Sequence, residues 1–186
     1  MEQRRWAMFA IVVSVGLAVL DSNIVNVALP TIAGDLEISP SQSVWIVNAY
    51  LLAVATTLLP LSSLGDIVGY RRVYQTGLAV FTIASLVCTL ADSLVTLTAA
   101  RFFQGLGAAG VMSVNAALVR FIYPSRLLGR GIGLIAMVVA LSSAVGPTVA
   151  SGILSVGSWS WLFAVNIPLG CLCLLYTSPS PRDQAK

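Results

Sequence analysis

The sequence predicts an all-α membrane protein with six transmembrane helices, and three observations carry that reading. Hydrophobic residues fill 58% of the 186 positions and charged residues only 9%, against about 25% charged in a soluble domain. The apolar residues fall in consecutive long blocks, and runs of about eighteen or more with few charges suit helices crossing a hydrocarbon core of roughly 30 Å. The arginines gather at alternate junctions between those blocks. So few charges cannot cover a soluble surface, and blocks this continuously apolar do not fit the alternating strands of a barrel. Helices are the remaining way to satisfy a backbone in lipid.

The first span is placed at 7–30. Arg4 and Arg5 ahead of an apolar run from Trp6 to Leu20 imitate a secretory signal. No small-x-small cleavage site follows, and the chain runs on through Asp21, Asn23 and Asn26 to Pro30, so the segment is expected to be retained. The next spans are placed at 43–64, 73–92, 95–118, 131–154 and 161–176. Gly105, Gly107 and Gly110 in span 4, and Gly131, Gly133, Gly146, Pro147 and Gly152 in span 5, predict that these two pack tightly. Helices in lipid approach one another through small residues. Six spans also divide into two groups of three, as in the inverted repeats of many transporters, although no residue-level repeat is visible.

Orientation follows from the arginines. Arg4 and Arg5 precede span 1, Arg71 and Arg72 follow span 2, and Arg120, Arg126 and Arg130 follow span 4, whereas the other loops hold Asp35, Glu37 and Asp92 or small polar residues. The positive-inside rule then places the amino terminus and the even-to-odd loops in the cytoplasm. The net charge of +3 is scattered over these junctions without the clustered stripe that nucleic acid requires, so no nucleic-acid partner is expected. Cys88, Cys171 and Cys173 lie inside apolar stretches and the chain has no histidine, so neither a metal site nor a cofactor is expected. No span offers a nucleophile–base pair, which speaks against an enzyme.

Asp21 stands near the middle of span 1, where an ionised carboxylate costs at least ~2.5 kcal/mol unless it meets a cavity or a partner. One reading is a proton-exchanging group. The other is a structural hydrogen bond with Asn23, Asn26 or a polar group of a neighbouring span. Arg101 lies a turn or two inside span 4 and keeps its charge there, so it needs an anion or carbonyls. Gln104 follows one turn later on the same face, and the two are expected to present donors to one polar cavity. The alternative for Arg101 is snorkelling to the nearby interface. In the junction from Leu64 to Arg72, Asp66 is expected to cap the next helix or to pair with arginines across the bundle.

Five blocks in order resemble the major facilitator superfamily, and within it the fourteen-span drug:proton antiporter branch. Leu20 to Pro30 resembles the first-span signature, with Asn23 where threonine is usual. Asp66, Gly69, Arg71 and Arg72 are similar to the loop signature between spans 2 and 3, with Ser62 for its leading glycine and Ile67 for an arginine. Arg101, Gln104, Gly105 and Gly107 resemble the span-4 signature. Gly133 to Gly152, around Gly146 and Pro147, resembles the span-5 antiporter signature, with Ala150 and Ser151 for its glycine pair. Trp159 to Gly170 resembles the entry to span 6, with Ser160 for arginine.

The resemblance implies that residues 1–175 form the amino-terminal half-bundle of a major facilitator fold. It implies alternating access in a multi-pass protein of the plasma membrane, with proton entry driving export of amphipathic, drug-like molecules. Asp21 and Arg101 would couple the proton, Asn23, Asn26 and Gln104 would line the cavity, and Asp66, Gly69, Arg71 and Arg72 would form a cytoplasmic gating loop. Gly105, Gly107, Gly146, Pro147 and Gly152 would set helix packing and bends. The partners implied are a small-molecule substrate, protons, the lipid bilayer and a carboxy-terminal half-bundle. Residues 176–186 read as a polar tail foreign to that family, a genuine tail being the alternative. The rival function is a non-transporting, partner-binding or regulatory membrane module, in which Asp21 and Arg101 would face packed helices; an inactive truncated transporter is the other.

Overall fold

The structure, a computed structural model, describes residues 2–122 and 128–177. Among the described residues all regular structure is helical: α1 Glu2–Asp35, α2 Pro40–Val68, α3 Tyr70–Thr89, α4 Leu94–Ile122, α5 Leu128–Val156, α6 Ser160–Ala164 and α7 Asn166–Thr177. Within these, Met8–Asp35, Pro40–Val68, Leu94–Arg120 and Leu128–Val156 are long and apolar enough to cross a membrane. The fifth member of the bundle, α3, is shorter at 20 residues and opens on Tyr70, Arg71 and Arg72. The α6–α7 pair forms the sixth. Arg126 and the tail from residue 178 lie outside the described residues.

Local chemistry sets the boundaries. The first span, placed at 7–30, continues through Pro30 as helix to Asp35. One proline removes only the bond to the Asn26 carbonyl, and lipid leaves the backbone no better option than helix. A capping box starts α2: the Ser39 hydroxyl accepts from the Gln42 N–H at 3.3 Å, and the Gln42 side chain accepts from the Ser39 N–H at 3.0 Å. Only Gly69 separates α2 from α3, at φ 98° and ψ 132°, a region closed to residues with a Cβ. In the sixth span the helical hydrogen-bond ladder is interrupted at Val165, whose φ −61° and ψ −29° stay helical. Pro168, in the first turn of α7, has no N–H for the Ala164 carbonyl and crowds it.

The core is stacked in three layers. At one end Ile11 and Val15 of α1 meet Val73 and Tyr74 of α3, Val111 and Val114 of α4 and Cys173 of α7. In the middle sit Leu17, Ala18, Tyr50, Phe81 and Ala108. At the other end Ile24 to Ile32 pack with Ile46, Cys88, Leu97, Leu162 and Phe163. The start of α1, the α2–α3 junction and the end of α4 therefore share one end of the bundle.

Span 4 packs as tightly as its glycines predict, though not against span 5. Helix α4 is instead wedged between α2 and α3, and α5 lies chiefly on α1. A Cβ on Gly105 would stand 2.5 Å from the Tyr50 carbonyl oxygen of α2, and one on Gly107 2.4 Å from the Phe81 nitrogen of α3. Gly146 faces Asn23 of α1, Cβ to Cβ 3.0 Å, whereas a Cβ on Gly133 or Gly152 would meet nothing within 4 Å. Small residues permit approach without naming the neighbour, so composition gave the closeness of α4 and not its partners. Gly152, expected at a packing seam, faces open space. Pro147 lies inside α5, which remains one continuous helix from Leu128 to Val156.

Candidate functional site

The buried face of α1 runs through Ser14, Leu17, Ala18, Asp21, Val25, Ala28 and Ile32, the three-and-four spacing of a helix stripe. Asp21 falls in that stripe between the middle and outer apolar layers. The same spacing on α4 turns Arg101, Gln104 and Ala108 inward. The two stripes meet, and Asp21 is 2% exposed while Arg101 and Gln104 are fully buried. Arg101 therefore does not snorkel.

The polar contacts form a closed set. Arg101 Nη1 donates to Asp21 Oδ2 in a buried ion pair, and to Gln104 Oε1 at 2.6 Å. Gln104 Nε2 donates to Asp21 Oδ1 at 3.0 Å and to Ser85 Oγ of α3 at 2.9 Å. Asn166 Nδ2, at the first residue of α7, donates to the same Asp21 oxygen at 2.5 Å. The guanidinium carbon lies 4.2 Å from the Tyr50 ring centroid and 5.8 Å from that of Phe163. Its Nε and Nη2 have no hydrogen-bond partner, so the aromatic faces are what offsets their loss of water. The Cys88 thiol donates to Gln104 Oε1 at 3.6 Å.

Such a constellation changes when one proton arrives. The carboxylate accepts three charge-favouring hydrogen bonds, and neutralising it strips the guanidinium of its only buried counter-charge among the described residues. The set joins α1, α3, α4 and α7, so a change at Asp21 reaches four helices.

The structural alternative for Asp21, a hydrogen bond with Asn23 or Asn26, is not formed: their amides donate to the Val19 and Ser22 carbonyls of their own helix at 2.8 and 3.2 Å. A helical side-chain amide reaches the carbonyl four residues back, and this absorbs it locally. Asp21, Arg101 and Gln104 are enclosed by packed side chains of this bundle. Sequence reasoning missed Asn166, Ser85, Tyr50 and Phe163. A carboxylate has about four acceptor sites, so a search for further donors would have reached Asn166, the single amide in the apolar block 161–176.

At the α2–α3 junction, Asp66 does not cap α3. It lies in the last turn of α2 and accepts a hydrogen bond from the Tyr70 hydroxyl. That bond pushes the Tyr70 phenol above its ordinary 10, burial and the Asp66 charge add to it, and Arg120 of α4 opposes it. Arg71 and Arg72 are exposed at the same end.

Comparison with known proteins places these features. Residues 11–186 match the Major Facilitator Superfamily. The chain is 56% identical over 173 residues to the "Uncharacterized transporter YebQ" of Escherichia coli (strain K12), covering 93% of this chain and 38% of that protein. It is 37% identical to the "Riboflavin transporter RibZ" of Clostridioides difficile (strain 630), over 94% of this chain and 38% of that protein. With the "Methylenomycin A resistance protein" of Streptomyces coelicolor it shares 40% identity over 87% of this chain and 34% of the relative. The chain thus spans less than two fifths of the length of these curated relatives. In fold it resembles a bacterial homolog of the human lysosomal transporter Spinster in an inward-facing, occupied conformation, with TM-score 0.78 and 17% identity over 97% of this chain and 46% of that one.

Proposed function

The chain belongs to the major facilitator superfamily, and from that premise we propose that its full-length protein exports small amphipathic or drug-like molecules against an inward flow of protons, by alternating access. The observation that carries this reading is the buried Asp21–Arg101 ion pair in the middle of two membrane helices. Placing these charges there is expensive, and a proton-driven carrier gives the expense a purpose. Protonation of Asp21 frees Arg101, and the difference in its stabilisation between two arrangements biases one of them. The closed packing around the pair is then one of the two arrangements and not a permanent seal. A relative named as an antibiotic resistance protein supports drug-like substrates. A relative named as a riboflavin transporter keeps planar aromatic solutes in view as a second substrate class.

In this reading the protein lies in the plasma membrane with its amino terminus in the cytoplasm, on the side marked by Arg71, Arg72, Arg120 and Arg130. Gly69, Asp66 and the two arginines after it form the cytoplasmic gate. The partners are the substrate, protons, the bilayer and a second half-bundle that supplies the other wall of the cavity. Residues 1–186 alone, with one wall, are expected to carry no coupled transport. The test is efflux of a fluorescent cationic dye from cells expressing the full-length protein, with and without Asp21→Asn. Gradient-dependent efflux that collapses in the variant supports the reading; gradient-dependent efflux that persists removes Asp21 from the proton path.

A further inference from the structure

We infer that Asn166 is a positioning residue for the proton-carrying carboxylate, tying the break in the sixth span to the charge state of Asp21. The inference rests on the reading of Asp21 as the proton carrier and adds to it a residue and a helix.

Three features converge on Asn166. It is 4% exposed, and its amide nitrogen reaches Asp21 Oδ1 at 2.5 Å across 145 positions of sequence. It is the first residue of α7, directly after the turn at Val165, so its side chain projects from the point where the sixth span is interrupted. The interruption follows from Pro168, which deprives the Ala164 carbonyl of its helical donor. Phe163, on the other side of the break, lies 5.8 Å from the Arg101 guanidinium. One short interruption thus touches both members of the ion pair, the carboxylate with an amide and the cation with a ring.

The chemistry of the amide suits this position. Gln104 divides its side chain among Asp21, Arg101 and Ser85, and Arg101 interacts well only with the charged carboxylate. Asn166 carries two donors and an acceptor, and its side chain bonds to Asp21. It donates to the carboxylate and, turned about its terminal bond, accepts from the carboxylic acid, which keeps Asp21 located through both halves of a proton cycle. The titratable groups around Asp21 are Arg101 from α4, Tyr50 from α2 and Cys88 from α3. On α5 the titratable group is Arg130, exposed near the start of the helix, and on α7 Cys173 packs in the distant Ile11–Val15 layer beyond the exposed Cys171. The Tyr50 hydroxyl and the Cys88 thiol are turned to the Ala18 carbonyl and to Gln104, so Gln104 and Asn166 are the uncharged donors to Oδ1.

The experiment is an infrared titration of the purified full-length protein, following the carboxylic C=O band of Asp21, which Asp21→Asn identifies by removing it. In Asn166→Ala the band is expected to shift to higher frequency, the effect of losing one hydrogen bond at the carboxyl group. If Asn166→Ala does not purify, Asn166→Ser, whose hydroxyl is too short for the contact, is measured in its place with the same expectation. A band identical to wild type overturns the positioning role, even where dye efflux remains proton-driven. The expected shift without proton-driven efflux supports the role of Asn166 while removing the exporter reading, so the two stand or fall separately.

Discussion

Arg101 lies over the ring of Tyr50, with the guanidinium carbon 4.2 Å from the ring centroid. With two of its nitrogens lacking hydrogen-bond partners, the cation depends on that face for much of its compensation. Such a contact contributes about 2 kcal/mol when desolvated. Tyr50→Leu loses that contact and the hydroxyl bond together and is expected to lower the stability of the full-length protein by about 3 kcal/mol. Tyr50→Phe keeps the ring and loses only the hydroxyl bond to the Ala18 carbonyl, about 1 kcal/mol. Thermal unfolding in detergent checks the order; equal losses would remove the ring from the account.

Removing either member of the ion pair leaves the other buried and alone. Asp21→Asn and Arg101→Gln are each expected to destabilise by about 3–5 kcal/mol, and the double variant by clearly less than their sum. A double-mutant cycle in unfolding measurements reads the coupling directly. Additive effects would mean that the two charges find other partners.

Close backbone contact should make the glycines of α4 unequal to those of α5. Gly107→Ala drives a methyl to within 2.4 Å of the Phe81 nitrogen and is expected to cost about 1–3 kcal/mol. Gly152→Ala enters open space and should stay within about 0.5 kcal/mol of wild type. Expression level and unfolding temperature of the two variants side by side give the comparison.

At the α2–α3 junction the pH dependence has a definite sign. Tyr70 donates to Asp66, and its phenol is held above 10. A group raised in the folded state contributes its full stability below its unfolded value and loses it as pH rises through the folded one. The Tyr70–Asp66 link is therefore expected to be intact up to pH about 10 and to fail above it. Near-ultraviolet absorbance titration of wild type minus Tyr70→Phe isolates this phenol, and a midpoint at or below 10 would refute the link.

The sequence made the helices and the ion pair legible for a plain reason. A carboxylate and an arginine inside apolar blocks each call for a partner, Gln104 lies one turn from Arg101 on the same face, and the family resemblance linked the two charges where the residues alone left asparagine bonds and snorkelling open. Asn166 was not legible in the same way, because a neutral amide is common in membrane helices and its partner is 145 positions away. Asn23 and Asn26 looked equally promising, yet helical geometry gave them carbonyls on their own helix. Glycine spacing on α4 foretold contact, but the choice of α2 and α3 over α5 depends on how the helices cross, which a count of small residues does not contain.

Backbone lies against backbone where α4 meets α2 and α3, and such seams have no side chains to yield. Mechanically, α2, α3 and α4 make a stiff slab, while α1 and α5 form a second pair laid against it. Asp21 belongs to the pair and Arg101 to the slab, so their bond works as a latch on the seam between two plates. The charge pair therefore lies at the joint between the two groups of helices.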